Sequence, residues 1–285
     1  MNLTQPHLIN KCIASAGLTN ESKKHKTPAV VILQKQTDSQ PTTDKLDYRS
    51  VIGQMNYLAA TTRPDIAFAV HQCARFCSNP QKPHYEAVKR IARYLSQTQT
   101  DGLMVCPDET ELKCYVDADF AGTWSKEYAD DATTALSRTG FVINFAGCPI
   151  VWASKMQTEI ALSTTEAEYI ALSTAMRDLI PLRELLNELS ANDLIPRIGR
   201  SQISCTIFED NASCLELALA PKMRPRTKHI NIKYHHFRSH IHSEQNPEGT
   251  MEIQHVGTKD QIADIFTKPL ALQPFEYLRA KLMGW

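Results

Sequence analysis

The stretch Leu112-Lys-Cys-Tyr-Val-Asp-Ala-Asp-Phe120 alternates apolar and polar residues over most of its length. A two-residue period is typical of a β-strand with one buried face. Two more β-rich runs follow at residues 140–144 and 149–154, and the turn signal Ala146-Gly-Cys148 lies between them. The sequence therefore predicts three antiparallel strands, the first of which carries Asp117.

Helices and strands alternate after this hairpin. The predicted elements are a helix capped by Thr164 or Thr165 and ending near 188, a strand at 203–208, a helix at 212–220, a helix at 231–243, a strand at 251–256 and a helix from Asp260. We expect an α/β fold with a mixed five-stranded sheet, three antiparallel strands followed by parallel ones, flanked by helices.

The first hundred residues have a different organisation. Residues 1–46 are polar after a short amphipathic piece at 6–16, and we expect them to form a partly disordered lead-in. Residues 47–100 show helical periodicity broken at Thr62-Arg-Pro64 and Asn79-Pro80, which predicts a small bundle of three helices. The predicted domains are thus the lead-in, the bundle at 47–100 and the α/β domain at 110–285.

Composition favours a globular chain. Of its 285 residues 42% are hydrophobic, with no apolar run long enough to span a membrane and no signal-peptide pattern, so we expect an intracellular protein. The eight cysteines form no CxxC pair, and most have apolar neighbours, which predicts reduced, buried thiols.

Charge is unevenly distributed although the formal net charge is zero. Residues 1–100 carry 13 Lys and Arg against 6 Asp and Glu, and residues 101–285 carry 18 against 25. Within the acidic part, residues 222–238 contain no acid, and this stretch predicts a phosphate-contacting surface. The candidate nucleic-acid contacts are Lys222, Arg224, Arg226, Lys228 and Arg238.

Four carboxylates stand in settings that predict one shared site: Asp117, Glu168, Asp210 and Asp264. Two unit charges about 4 Å apart repel by about 4 kcal/mol at an effective dielectric near 20. A cluster of acids therefore implies shifted pKa values or bound cations. Two Mg²⁺ or Mn²⁺ ions among carboxylates would favour phosphodiester hydrolysis.

The sequences of these motifs resemble those of the ribonuclease H domain at the C-terminal end of Ty/copia-type retrotransposon polyproteins. The resemblance is carried by five phrases in order: Tyr115-Val-Asp-Ala-Asp-Phe-Ala-Gly122, Trp152-Ala-Ser-Lys-Met-Gln157, Ala161-Leu-Ser-Thr-Thr-Glu-Ala-Glu-Tyr-Ile-Ala-Leu172, Arg226-Thr-Lys-His-Ile-Asn-Ile-Lys-Tyr-His235 and Ala263-Asp-Ile-Phe-Thr-Lys-Pro-Leu270. The segments Tyr48-Arg-Ser-Val-Ile-Gly-Gln-Met-Asn-Tyr-Leu58 and Thr62-Arg-Pro-Asp-Ile-Ala-Phe-Ala-Val70 are similar to the thumb or connection region that follows the polymerase palm of the same polyprotein.

The resemblance implies an endoribonuclease that cuts the RNA strand of an RNA·DNA hybrid with two Mg²⁺ or Mn²⁺ ions. It implies that Asp117 bridges both ions, that Glu168 and Asp210 hold the ion on the leaving side, and that Asp264 completes the ion that activates water. Asp119 and Glu166 are the second choices beside Asp117 and Glu168. The implied partners are the hybrid and the upstream reverse transcriptase palm and fingers. No membrane partner is expected.

Two features depart from simple expectation. Cellular ribonucleases H carry a His in the loop before the last acid, whereas Gly257-Thr-Lys-Asp260 has none, and His255 is interpreted as a structural strand residue. Tyr128-Ala-Asp-Asp131 spells a polymerase signature but lies in a polar loop. We therefore expect no polymerase activity from this chain.

Two other functions stay open at this point. Asp117-Ala-Asp119 resembles the start of a haloacid-dehalogenase-type phosphatase, but that family has Thr or Val where this chain has Ala121. The chain could also be a catalytically silent fragment of a retroelement polyprotein that binds nucleic acid without cutting it. Phosphoenzyme trapping would distinguish the first alternative, and hybrid cleavage the second.

Overall fold

The chain forms two compact units, as seen in a computed structural model that describes residues 1–19, 22–35, 46–108, 110–192, 194–195, 203–220, 230, 232–244 and 246–285. One unit comprises Met1–Val105 together with Lys268–Trp285, and the other comprises Cys106–Thr267. Both ends of the chain thus belong to the same unit.

The first unit is mainly helical. Its N-terminal part contains β1 (Asn2–Leu3), α1 (Pro6–Ser15), α2 (Tyr48–Thr61), α3 (Ala67–Ala74), α4 (Lys82–Gln97) and β2 (Leu103–Met104), and β1 pairs antiparallel with β2. The predicted amphipathic segment at 6–16 is helix α1, and its buried residues are Ile9, Cys12 and Ile13.

A buried charged network lies at the start of α3. The guanidinium of Arg63 donates to both carboxylate oxygens of Asp65, at 2.9 and 2.8 Å, and to the carbonyl of Thr98. The hydroxyl of Tyr94 donates to the same carboxylate at 2.6 Å. Every charge in this network has a hydrogen-bond partner, which is the condition for burying charge in a core.

The second unit contains the predicted mixed sheet. In chain order its elements are β3 (Leu112–Asp119), β4 (Arg138–Phe145), β5 (Cys148–Met156), α5 (Thr164–Ala191), β6 (Cys205–Glu209), α6 (Ala212–Leu219) and β7 (Glu252–His255). The strand order is β5-β4-β3-β6-β7, antiparallel among β5, β4 and β3 and parallel from β3 to β7. The α/β prediction with five strands is confirmed.

The β4–β5 hairpin turns where the sequence predicted. Ala146 and Gly147 have φ values of 55° and 77°. Two successive positive φ values are typical of the two-residue turns that match the twist of paired strands. The turn fixes the register of β4 against β5, and β4 in turn pairs with β3, which carries Asp117.

Several element limits differ from the sequence prediction. Residue Ser163, not Thr164 or Thr165, caps α5, since its hydroxyl accepts from the amide of Glu166 at 3.1 Å. Residues 232–240 form a 3-10 helix instead of an α-helix. Asp264 lies in a short 3-10 turn, Ile262–Phe266, where a helix from Asp260 was expected. Proline at 269 disfavours a helical residue 268, so the turn cannot extend into α7 (Leu272–Met283).

The helix α7 groups with the first unit, whereas the sequence prediction placed all of 110–285 in one domain. The indole Nε1 of Trp285 donates to the carbonyl of Gly102 at 2.6 Å, and the guanidinium of Arg279 lies 4.1 Å from the indole ring. A contact of the last residue therefore links the C-terminus to the segment that follows α4.

All eight cysteines are free thiols, and six of them are buried. This agrees with the predicted use of cysteine in packing. Within the part of the chain that the structure describes, no helix is both long and apolar enough to cross a bilayer.

Candidate metal centre

Asp117 lies near the end of the central strand of the sheet. Strand β3 pairs with β6 only from Leu112 to Tyr115, and Asp117 lies two residues beyond the last of these pairs. On the other side Asp117 pairs with Gly140 of β4. The residue is buried, at 2% exposure. A buried carboxylate needs donors or cations as neighbours.

Glu168 comes from the first turns of α5. The other acid of this turn, Glu166, accepts from the amide of Leu162 at 2.7 Å and so completes the cap of the helix with Ser163. Its carboxylate therefore serves the helix N-terminus. Glu168 lies two residues further and is buried.

Asp210 directly follows β6. The next residue, Asn211, caps α6 by accepting from the amide of Cys214 at 3.0 Å, so the chain turns sharply after the strand. One carboxylate oxygen from each of Asp117, Glu168 and Asp210 lies within 4.8 Å of the others. Three of the four predicted acids are thus brought together, from a strand, a helix and a strand end.

Electrostatics at this cluster are unfavourable without a cation. Burial, followed by the charges of Glu209, Asp117 and Asp210, raises the pKa of Glu168 to about 11. Its Oε2 atom is buried and has no hydrogen-bond partner. Such an oxygen is unsatisfied unless it is protonated or bound to a metal ion.

Asp264 is buried at 5% exposure, but it is not among the three acids that meet within 4.8 Å. Its turn is nonetheless joined to Asp117, because the hydroxyl of Thr267 donates to Oδ2 of Asp117. The sequence predicted Asp264 as the fourth ligand, and that assignment stays a prediction.

Glu209 is an acid that the sequence reasoning missed. It is fully buried at the end of β6, and its Oε1 accepts from the amide of Asn211 at 3.1 Å. Burial above all, with Asp117 and Asp210 nearby, holds the pKa of Glu209 well above its ordinary value. The signal was the two-residue period of β6, since Cys205, Ile207 and Glu209 share its buried face.

Two neighbours of the cluster lie close to it in sequence. The carboxylate of Asp119 packs against Gly122, in the turn that follows β3. His255 ends β7, is exposed, and places Nε2 3.2 Å from the carbonyl oxygen of Asp210. Neither belongs to the group of acids within 4.8 Å.

The predicted basic surface is only partly described. Lys222, Arg224, Arg226 and Lys228 lie outside the described residues. Arg238 lies on the 3-10 helix Ile232–His240, which packs against α5. Its positive charge lies near Tyr169 of α5, where it opposes the rise that burial causes in the pKa of that tyrosine. A neighbouring cation, Lys233, forms an ion pair with Glu159.

The polymerase-like tetrapeptide Tyr128-Ala-Asp-Asp131 begins at the last residue of the 3-10 helix Lys126–Tyr128 and is followed by a second one, Ala132–Ala135. It therefore has no flanking strands. The side chain of Asp131 accepts from the amide and hydroxyl of Thr133, at 3.1 and 2.6 Å, as a cap of the second helix. This is a local structural role.

Comparisons with known proteins place this geometry in context. No family model matches the chain. It is 34% identical over 289 residues to the retrovirus-related Pol polyprotein from transposon TNT 1-94 of Nicotiana tabacum. This match covers 99% of the chain and 20% of that protein. It is 35% identical over 241 residues to the retrovirus-related Pol polyprotein from transposon RE1 of Arabidopsis thaliana. This match covers 84% of the chain and 15% of that protein.

The chain therefore spans 20% or less of the length of these two relatives. Among solved structures, it is similar to LC11-RNase H1 in complex with an RNA/DNA hybrid. The TM-score is 0.36 at 17% identity, and the match covers 55% of this chain and 94% of the other.

Proposed function

This chain belongs to the retrovirus-related Pol polyproteins of copia-type transposons, and from that membership we propose that it cuts the RNA strand of RNA·DNA hybrids. The observation that supports the proposal most strongly is the meeting of Asp117, Glu168 and Asp210 within 4.8 Å. Three buried or half-buried carboxylates from three elements destabilise a fold unless protons or cations compensate their charges.

The residues present fit divalent cations. All the donor atoms are carboxylate oxygens, which Mg²⁺ and Mn²⁺ prefer. The buried Oε2 of Glu168 lacks a hydrogen-bond partner, and its raised pKa has burial and neighbouring acids as causes. A cation would satisfy the oxygen and offset the repulsion.

We assign Asp117, Glu168 and Asp210 as the residues that would hold the ions, with Asp264 as the proposed fourth. When bound, the ions would lower the pKa of a water molecule and stabilise the charge on the leaving oxygen of a phosphodiester. The protein positions these acids on rigid elements: β3, the capped start of α5, and the end of β6.

Substrate recognition in this proposal depends on phosphates and on the sugar. Lys222, Arg224, Arg226, Lys228 and Arg238 would contact phosphates without reading sequence. The 2′-hydroxyl distinguishes RNA from DNA in the cut strand. The upstream polymerase palm and fingers of the same polyprotein are the proposed protein partner, because the chain matches only a fraction of its relatives' length.

Hybrid cleavage is the direct test. The full chain is incubated with a labelled RNA·DNA hybrid, with single-stranded RNA and with double-stranded DNA, each in Mg²⁺, Mn²⁺ or chelator. We expect cutting only of RNA paired with DNA, and only with metal. Asp117→Asn should lower the rate by about 100-fold or more, since it weakens the binding of the cations that would stabilise charge at the reacting phosphate.

Asp119→Asn is the matched control, because it makes the same change two residues away on an acid outside the 4.8 Å cluster. It should cut close to the parent rate. Equal cutting by Asp117→Asn and the parent would overturn the proposal. The proposal would also be overturned if the folded parent cut no hybrid, both alone and fused to its upstream polymerase. The chain would then be better described as a fragment that binds hybrids without cutting them.

A further inference from the structure

The turn that carries Asp264 is held against the sheet at three points. The side-chain amide of Gln261 donates to the carbonyl of Val116 at 2.8 Å, next to Asp117 in sequence. The hydroxyl of Ser154 on β5 donates to the carbonyl of Phe266 at 2.5 Å. The hydroxyl of Thr267 donates to the carboxylate of Asp117 itself. All three contacts converge around one end of β3.

Gly140 makes this approach possible. It is the β4 residue paired with Asp117, and a Cβ there would lie 2.6 Å from Cγ2 of Thr267 and 2.8 Å from Cβ of Phe266. Real Cβ contacts are longer than this, so any other residue would push the turn away. The backbone of β4 thus leaves the space that Thr267 fills.

Thr267 is fully buried, and its Oγ1 lies near two acceptors: Oδ2 of Asp117 and, at 3.2 Å, the carbonyl of Asp264. A hydroxyl has one hydrogen to donate, and a carboxylate is the stronger acceptor. The hydrogen bond to Asp117 fixes the rotation of that carboxylate. The carboxylate retains lone pairs for other ligands, because each of its oxygens offers about two.

We infer that Thr267 is a positioning residue for the metal centre, which orients Asp117 for cation binding and ties it to the turn of Asp264. The inference rests on the proposed function, since it gives the cluster the same metal-binding role. Hydrogen bonds to metal-ligating carboxylates orient them, and their loss lowers metal affinity by roughly 10- to 100-fold.

Mn²⁺ affinity of the full chain, without nucleic acid, tests the inference. Free Mn²⁺ is followed by electron paramagnetic resonance, and circular dichroism checks folding. Thr267→Val keeps the shape of the side chain and removes the donor, so it should weaken Mn²⁺ binding roughly tenfold or more. Thr267→Ser keeps the hydroxyl and should restore most of the affinity. Thr267→Ala is a second variant without the donor, in case valine at this position disturbs folding.

Thr123→Val is the matched control. Thr123 is a buried threonine of the same unit whose hydroxyl donates to the carbonyl of Thr134 at 2.8 Å, so its loss should leave Mn²⁺ affinity unchanged. In an Asp117→Asn background, Thr267→Val should cause no further loss of affinity, because residues that act through one another are not additive.

The outcomes separate the two proposals. If the parent binds Mn²⁺ and a folded Thr267 variant lacking the hydroxyl binds it equally well, the role of Thr267 is wrong and the nuclease proposal stands. If affinity falls as expected but the parent cuts no hybrid, either alone or fused to its upstream polymerase, the nuclease proposal is wrong and the positioning role stands. A parent that binds no Mn²⁺ would overturn both.

Discussion

Individual side chains carry most of the argument for a metal centre, and Glu168 is the most informative of them. It is buried among Glu209, Asp117 and Asp210, and its pKa is raised to about 11. The sequence identified Glu168 through the resemblance to a known motif. Its burial and its distances to other acids follow from packing, which no local pattern encodes.

The raised pKa of Glu168 predicts a pH dependence of stability in chelator. The protonated form stabilises the fold fully below the unfolded pKa of 4.5, and this stability is lost as pH rises towards the folded pKa of about 11. The free energy of unfolding should fall by at most about 1.4 kcal/mol per pH unit. Urea denaturation of the parent between about pH 5 and pH 9 measures this slope.

Glu168→Gln should show a smaller slope and be the more stable protein at alkaline pH in chelator, because the neutral amide releases no proton. Added Mn²⁺ should stabilise the parent and leave the variant nearly unchanged, since only the parent retains all the carboxylates of the proposed site. Equal slopes for the two proteins would mean that Glu168 is not a buried member of the cluster.

At the scale of elements, the sequence predicted strands and long helices well, and short turns poorly. The alternation of β3 and the turn at Ala146-Gly147 were visible in the sequence. The turn Ile262–Phe266 was predicted as part of a helix from Asp260. Its shape depends on Gln261, Ser154 and Gly140, and two of these are distant in sequence.

Gly140→Ala tests the close packing of that turn on β4. The new Cβ would lie 2.6 Å from Cγ2 of Thr267, so the turn must shift. We expect a loss of about 1 to 3 kcal/mol in the free energy of unfolding, typical of overpacking, and weaker Mn²⁺ binding. Urea denaturation and Mn²⁺ titration measure the two effects.

Gly53→Ala is the control for this substitution. Gly53 lies inside α2 with open space around its Cα, so alanine there should stabilise the protein by up to about 1 kcal/mol through helix propensity. If Gly140→Ala has the same small effect as Gly53→Ala, then Gly140 is not what allows the turn to approach the sheet.

On the scale of the whole molecule, the two ends of the chain build one unit. Trp285 is joined to Gly102 by a hydrogen bond and to Arg279 and Arg63 by contacts of their guanidinium groups with its ring. Trp285→Ala should therefore destabilise the unit that contains residues 1–105 by roughly 2 kcal/mol. Hydrogen exchange resolved by peptide can measure this in the full chain.

Trp124→Ala is the comparison, because Trp124 is 52% exposed and belongs to the other unit. It should change stability by less than about 0.5 kcal/mol. Equal effects of the two tryptophans would mean that the C-terminal contacts contribute no more than an exposed side chain.

The basic stretch at residues 222–238 leads to a prediction for the whole molecule, which concerns the salt dependence of its binding to a hybrid. Replacing Lys222, Arg224 and Arg226 by Gln should weaken hybrid binding and reduce the slope of log K against log salt by about one unit for each lost phosphate contact. Binding titrations at several salt concentrations measure the slope. An unchanged slope would assign these residues to a solvated surface.

The sequence by itself determined the fold class and the identity of the candidate acids. Hydrophobic periodicity is local, and it predicts strands and helices wherever one face is buried. The sequences of the motifs were sufficient to indicate a copia-type polyprotein. These features lie within short segments, so they are present in the sequence before any distant residues meet.

Only the tertiary structure decided which acids meet and what supports them. It brought Asp117, Glu168 and Asp210 within 4.8 Å, added the buried Glu209, and left Asp264 on a turn linked to the cluster through Thr267. It also placed α7 with the helical unit. The physical reason is that distances, burial and pKa values arise from contacts between residues far apart in the chain, and local periodicity contains no information about them.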